Sequence, residues 1–286
     1  MNEYTETNRR HWDEVVPIHM VAQSYDVAGF KAGRNRLKPV ELAELRDVRG
    51  KTMLHLQCHF GIDTLSWARH EGVIVTGIDF SEPAIQTARQ LAEECNIEAR
   101  FIVSDIYSLP DNLDDRFDIV FTSYGALCWL PDIVRWAQIA AHFVKPGGTF
   151  YVAEFHPIAG IFDDKPEATD FNVRYPYFPP EQPLKWEGWG DYTDRSAKLE
   201  NDVTYEWPHP TSEVLTALID AGLRIEFFHE FPFTPWAQIP SMMYDEGENA
   251  VPPQRPRRLV AARLLDKGNE AGVAYSGRRA HISRRT

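Results

Sequence analysis

The feature that most constrains this chain is an alternation that begins at residue 50. Short apolar runs trade places with amphipathic stretches: "TMLHLQC" then "DTLSWARHE", "VIVTGID" then "EPAIQTARQLAEEC", "ARFIVSD" and "FDIVFTSY" then "DIVRWAQIAAHF", and finally "GTFYVAEF". A strand covered on both faces has no solvent side on which to alternate, so continuous apolar runs of this length suit a parallel sheet. The helices between them supply the right-handed crossovers that parallel strands need. The expectation is an α/β fold, doubly wound around a mostly parallel sheet. At 286 residues the chain has room for one such domain with elaborations.

Other segments fit around that core. Residues 1–49 read as an N-terminal helical cap, since "NRRHWDEVV" and "RNRLKPVELAELRDV" place apolar positions three and four apart. "AQSYDVAGFKAG" lies between them as a flexible connection. The core runs over 50–156. Beyond it the composition shifts: fourteen of the twenty prolines lie from Pro157 on, together with Tyr175, Tyr177, Phe178, Trp186, Trp189, Tyr192, Tyr205 and Trp207. Proline breaks helices and linkers do not concentrate tryptophan, so 157–210 reads as an inserted lid or small antiparallel extension. With "FPFTPWAQIP" around Trp236, it is expected to wall an acceptor pocket; a secondary core or a homodimer surface is the alternative. Residues 211–265 return as the helix "TSEVLTALIDAGL" and the strands "RIEFFHEF" and "RRLVAARLL". Residues 266–286 form a basic tail.

Charge and cysteine usage exclude some classes. The formal charge is −12, and from Arg255 to Thr286 nine basic residues face two acidic ones, which leaves −19 on the rest. An acidic body disfavours nucleic acid as a partner; the tail reads as a solvated, partly disordered terminus or as an arm for nucleic acid or another acidic partner. The polar opening "MNEYTETNRRHWDE" is unlike a signal peptide, and no apolar window is long enough for a bilayer. Three widely spaced cysteines, Cys58, Cys95 and Cys128, suit a reducing cytoplasm rather than a disulfide framework or a metal site.

Chemistry concentrates in "MLHLQCHFGID", Met53 to Asp63: a strand, a turn ending at Gly61, and a helix starting near Asp63 or Thr64. Such a turn opens a ligand site at the carboxyl end of a strand. A dinucleotide loop would carry glycines where Gln57 and His59 stand, and no Gly-Lys-Ser/Thr follows, so a pyrophosphate is disfavoured. Asp79, at the end of the second run, stands where a carboxylate can accept from ribose hydroxyls, with Phe80 beside it to pack on a base. Asp105 ends the third run at the same edge. Each carboxylate has an alternative as a helix N-cap or turn residue. Three successive strand ends thus converge on a nucleoside-like ligand.

These residues resemble the class I S-adenosylmethionine-dependent methyltransferases. The resemblance covers about Gly50 to His156, with weaker support to Phe231. "MLHLQCHFG" is similar to the family's V-L-D-L-G-C-G-x-G, with Leu54, Leu56, Cys58 and Gly61 in register; "VTGIDFS" resembles the ribose motif, "SDIYSLP" the adenine motif, "FDIVFTSYGALCWLPD" the fourth-strand motif and "FVKPGGTFYV" the turn before the fifth strand. The resemblance implies a Rossmann-like core that binds S-adenosyl-L-methionine. Its site residues would be Gln57, His59, Gly61, Asp63, Asp79, Phe80, Asp105 and Ile106. His55 replaces the usual acid, and Gln57 and His59 replace two glycines. The methionine amino group would then fall to Gln57, His59 or Asp63. His55 itself reads as a core histidine and His59 also as a shaper of the turn.

The activity implied is in-line methyl transfer to a small-molecule acceptor, with catalysis from alignment and exclusion of water. An acceptor that must lose a proton needs a base. Tyr124, Glu154, His156 and His209 are the candidates, His156 in "EFHP" first; Tyr124 is alternatively an aromatic border for a sulfonium. A scaffold that kept the fold, an enzyme using the same cofactor for another reaction, and a nucleic-acid methyltransferase that uses the basic tail are the rival expectations.

Overall fold

Leu54 and Leu56 face one side of their strand and Met53 and His55 the other, all buried. That double burial organises the molecule. The structure, a computed structural model, describes residues 2–163, 172–188, 190–231 and the strand 259–266. In chain order the strands are β1 (Thr52–Leu56), β2 (Ile74–Asp79), β3 (Arg100–Val103), β4 (Phe117–Ser123), β5 (Val144–Phe155), β6 (Leu184–Trp186), β7 (Thr204–Glu206), β8 (Leu223–Phe231) and β9 (Leu259–Asp266). The helices are α1 (Glu3–Val21), α2 (Val27–Lys31), α3 (Pro39–Glu44), α4 (Ile62–Glu71), α5 (Glu82–Glu94), α6 (Leu109–Asn112), α7 (Ile133–Phe143) and α8 (Thr211–Asp220).

Seven strands form one sheet in the order β3-β2-β1-β4-β5-β9-β8. The first five are mutually parallel, and β9 runs antiparallel to both β5 and β8. The doubly wound expectation holds. One face packs Leu54, Leu56, Val120, Phe150 and Val152 against Trp136 and Phe143 of α7 and Leu218 of α8. The other packs Met53, Phe121 and Tyr151 against Val40 of α3 and Trp67 of α4. The period-two division of the strand residues decides which helix layer each meets. Each fully buried large apolar side chain contributes about 1.5–3 kcal/mol.

The order reverses between β1 and β4, because the chain winds outward from β1 to β3 and then returns. At such a switch point the loops leaving neighbouring strands diverge and open a crevice at their carboxyl ends.

Two segments close over that crevice. α1 begins at the N-cap Asn2 and continues through Pro17 to Val21, longer than the sequence suggests; proline removes one ladder bond, and this one is exposed. Conversely the helix expected over 34–48 shrinks to α3, because Pro39 holds Lys38 in an extended conformation and sets the helix start. The connection between the two contains the short helix α2, capped by Asp26. After β5, β6 and β7 form a two-stranded antiparallel pair. The segment around Trp236, Trp189 and the basic tail beyond Asp266 lie outside the described residues.

α1 and the insertion are bolted together. Asn8, 1% exposed, donates from Nδ2 to the Tyr205 carbonyl and accepts the Tyr205 N–H at Oδ1, both at 2.7 Å. The Glu14 carboxylate accepts the backbone N–H groups of Glu200 and Asn201. Trp207 N–H and His209 Nε2 donate to the carbonyls of Cys128 and Leu130, which ties the insertion to the turn after β4. Truncating Asn8 strands two part-buried backbone groups of Tyr205, each worth up to about 1–3 kcal/mol when unpaired. Asn8→Ala is therefore expected to lower the urea unfolding midpoint and to speed proteolysis near residue 205; unchanged values would show that the two segments do not depend on each other.

Candidate active site

The chain must turn between Leu56 and Ile62, and it does so with alternate residues in the left-handed region: Gln57 at φ 57°, His59 at φ 51° and Gly61 at φ 71°. For residues with a Cβ this costs about 1–2 kcal/mol each and persists only where the surroundings over-determine it. Here Cys58 N–H donates to the Ile78 carbonyl at 2.8 Å, Gly61 N–H to the Cys58 carbonyl at 2.9 Å, and His59 N–H to Asp79 Oδ2 at 2.8 Å. At Gly61 a Cβ would stand 2.6 Å from the Phe101 ring, so glycine is required. At 57 and 59 the backbone keeps a glycine-like conformation while side chains project from it.

Those side chains meet a cavity of about 850 Å³ at the carboxyl ends of β1, β4 and β5, within the range of small-molecule sites. Of the residues expected from sequence, it brings together Gln57, His59, Gly61, Asp63, Tyr124 and His156. Asp79, Phe80, Asp105 and Ile106 are not in its wall. Asp79 sits directly behind the turn, 7% exposed, accepting from His59 and, at 2.9 Å, from Ser81 N–H. Burial pushes its carboxyl up to about 6, against the pull of those hydrogen bonds. Asp105 stands at the start of a 3-10 turn and accepts from the Ser108 hydroxyl, and Ile106 is buried beside it.

The comparisons with known proteins decide what this arrangement belongs to. The methyltransferase-domain family profile matches residues 53–148, the span from β1 through the turn that opens β5. Residues 53–148 thus match a methyltransferase domain. A ubiquinone biosynthesis O-methyltransferase from Coxiella burnetii (strain Dugway 5J108-111) is 31% identical over 143 residues, 49% of this chain and 60% of that protein. Another from Serratia proteamaculans is 32% identical over 140 residues, 47% and 57%. The match thus spans about 60% of these relatives' length. Among solved structures, the methyltransferase CcbJ from Streptomyces caelestis aligns with a TM-score of 0.54 at 15% identity, over 90% of this chain and 98% of that one. A structure described for conversion of a disulfide bond into a thioacetal group during echinomycin biosynthesis aligns with a TM-score of 0.55 at 17%, over 92% and 94%. At such identities the likeness is one of fold.

Within the methyltransferase domain, the geometry reassigns the proton acceptors expected from sequence. His156 Nδ1 accepts the Ile158 N–H at 3.1 Å, and Nε2 lies 2.8 Å from Glu230 Oε1, to which it donates. With both nitrogens used, His156 braces the end of β5 rather than accepting a proton. The Tyr124 hydroxyl lies 2.6 Å from Glu41 Oε2, and burial with the neighbouring Glu41 charge drives its ionisation far above the usual range. It stays a phenol that lines the cavity. Glu154 accepts four backbone N–H groups, from Gly125, Ala126, Leu127 and Phe155, and so clamps the turn after β4. His209 lines the cavity while donating to Leu130. His55 lies between Thr64 Oγ1 at 2.8 Å and Ser123 Oγ at 3.2 Å, and burial lowers its pKa to about 3, so it is a neutral core histidine.

Sequence reasoning missed Glu41, Lys38 and Asp191. Glu41 is fully buried, accepts the Lys38 N–H at 2.8 Å and meets Tyr124. A carboxylate four residues after a loop has no signal of its own; only Pro39 hinted at a helix start placing it inward. Burial, with the Asp63 charge second, pushes Glu41 up to about 8. A carboxyl raised on folding binds its proton more tightly in the native state. Its contribution is full below its ordinary value of 4.5 and is lost as the pH rises to about 8. Glu41→Gln is therefore expected to flatten the fall of the urea midpoint over that window; parallel profiles for the two proteins would contradict this.

Proposed function

We propose that this chain transfers a methyl group from S-adenosylmethionine to a hydroxyl-bearing aromatic small molecule held in the cavity. The carrying observation is the polar floor around the left-handed turn. Gln57 Nε2 donates to the Ala126 carbonyl at 2.9 Å, while its Oε1 is buried with no hydrogen-bond partner among the described residues. An orphaned buried oxygen is costly, and a cationic donor would satisfy it. Asp63, at the first turn of α4, faces the same space; burial raises its pKa, against the pull of Lys38 and Arg36, which line the cavity as well. A carboxylate and an amide oxygen on one side, with two basic side chains nearby, suit the α-ammonium and α-carboxylate of an amino acid. The methionine end of the cofactor fits that set.

Asp63 and Gln57 Oε1 would hold the ammonium, Lys38 and Arg36 the carboxylate, Asp79 the ribose, and Phe80, Asp105 and Ile106 the adenine. When bound, S-adenosylmethionine supplies an electrophilic methyl on a sulfonium. The protein's part is to align and to dry: Tyr124 offers an aromatic border to the cation, and the insertion and α1 exclude water. Trp12, Trp129, Tyr175, Trp186 and Trp207 line the remaining cavity, which favours a flat aromatic acceptor. The similarity to the ubiquinone-biosynthesis O-methyltransferases supports oxygen as the methylated atom. A cytoplasmic setting accords with the three free thiols. Among the described residues no helix is long and apolar enough to cross a membrane, and no cluster of His, Cys, Asp and Glu could hold a metal ion.

Calorimetry with S-adenosylmethionine and S-adenosylhomocysteine tests the binding half. Dissociation constants of about 1–100 µM are expected, with no binding of NAD. Asp63→Asn should weaken binding by about tenfold or more, the loss of one charge-assisted contact, and Asp79→Ala by more, because it also releases the His59 N–H that holds the turn. Failure of the folded wild type to bind either compound would overturn the proposal.

A further inference from the structure

A chain of three side chains from distant parts of the sequence ends in the cavity. His19 of α1 is completely buried, and its Nε2 lies 2.9 Å from Asp191 Oδ2, in the insertion. Its Nδ1 lies 2.8 Å from His59 Nε2, on the left-handed turn. Asp191, 2% exposed, is held at its other oxygen by the backbone N–H and the hydroxyl of Thr193. His59 lines the cavity, and among the described residues its Nδ1 has no hydrogen-bond partner and is not sealed from solvent.

The protonation pattern follows from the partners. A carboxylate only accepts, so His19 Nε2 carries a proton. With His19 neutral, its Nδ1 is a bare acceptor, so His59 Nε2 donates and His59 Nδ1 presents a lone pair to the cavity. With one more proton, His19 is an imidazolium held by Asp191, and His59 Nδ1 presents N–H instead. Both states keep every hydrogen bond in the chain. Burial, and then the His19 charge, push His59 well below the usual histidine range, so the proton is not stored there. Hydrogen bonds from His19 and Thr193 outweigh burial and hold Asp191 at about 2, an anion throughout.

We propose that Asp191, His19 and His59 form a proton relay that deprotonates the acceptor hydroxyl, with His59 as the catalytic base and His19 and Asp191 as positioning residues. The assignment of the acceptor rests on the methyl-transfer reading; the relay itself does not. As the acceptor O–H breaks, its proton passes to His59 Nδ1, the His59 Nε2 proton passes to His19 Nδ1, and the positive charge settles beside Asp191. The freed oxygen pair forms the bond to the methyl carbon, and the electron pair of the broken S–C bond goes to sulfur. The proton returns to solvent through His59 after the product leaves. This also gives the strained His59 a purpose: a glycine there would end the relay at the cavity wall.

Among the described residues, the groups facing His19 are few. Tyr25 stacks on it at 5.0 Å between ring centroids, Tyr192 tilts against it at 4.9 Å and Trp12 meets it edge-on at 5.8 Å. Asp191 is the carboxylate it bonds among the described residues, while Asp79 lies behind the His59 backbone.

The test has two arms. In the first, nitrogen-15 NMR of histidine-labelled protein with S-adenosylhomocysteine follows the ring nitrogens from pH 9 downward. His59 is expected as the Nε2–H tautomer at pH 9; His59 carrying its proton on Nδ1 at pH 9 would overturn the relay. In the second, catechol and 4-nitrocatechol serve as acceptors. Asp191→Asn and, as a second variant, His19→Gln should lower turnover of catechol by about 100-fold, the lower range for a lost general base. Both should affect the more acidic 4-nitrocatechol less than about threefold, since it arrives ionised, with cofactor affinity unchanged. Equal losses for both phenols in folded variants would overturn the basic role. Binding of S-adenosylhomocysteine without methylation of either phenol would overturn the acceptor assignment, whereas no binding at all would count against the methyltransferase reading and leave the relay to the spectrum of the free protein.

Discussion

The site depends on a carboxylate that holds a backbone. Asp79 ends β2 and takes the His59 N–H of the turn leaving β1, so the neighbouring strand fixes the conformation of the turn. Only with that anchor, and with the Cys58 N–H on the Ile78 carbonyl, can Gln57 and His59 sit at positive φ. Their side chains then point where a glycine loop would present bare backbone. The same carboxylate is the one proposed to meet a ribose, so the anchor of the loop and the anchor of the ligand would be a single group.

From that turn outward, the cavity is assembled by three parts of the chain with different jobs. The sheet supplies rigid strand ends at its switch point, α1 contributes His19 and Trp12, and the insertion contributes Asp191 and part of the aromatic wall, including Tyr175, Trp186 and Trp207. The bonds of Asn8 and Glu14 make α1 and the insertion one cover. The proposed water exclusion and proton relay would therefore rest on the same cover. A rigid floor under a separately built roof lets the acceptor site vary without disturbing the cofactor side.

Much of the fold was legible because it rests on local periodicity. The runs from Met53 to Phe155 are apolar on both faces since both are covered by helices, and even the antiparallel strand at 259–266 announced itself as "RRLVAARLL". The helix ends were less legible: Pro39 shortened α3 and Pro17 failed to stop α1. The residues of the turn were found because they interrupt a familiar pattern. Asp191 was not, because its partner His19 lies 172 positions away and only the folded cover brings them together. His156 misled for the opposite reason: its place at a strand end suggested chemistry, while Glu230 of β8, itself in the sequence far downstream, occupies its second nitrogen.

The most direct test of the central claim is a crystal structure with S-adenosylhomocysteine bound. The ammonium is expected within hydrogen-bond distance of Asp63 and Gln57 Oε1, the ribose on Asp79, and His59 still at positive φ with its ring toward His19. An amino-acid end bound away from Asp63 and Gln57, or a turn that rearranges to move His59 out of the cavity, would contradict the account.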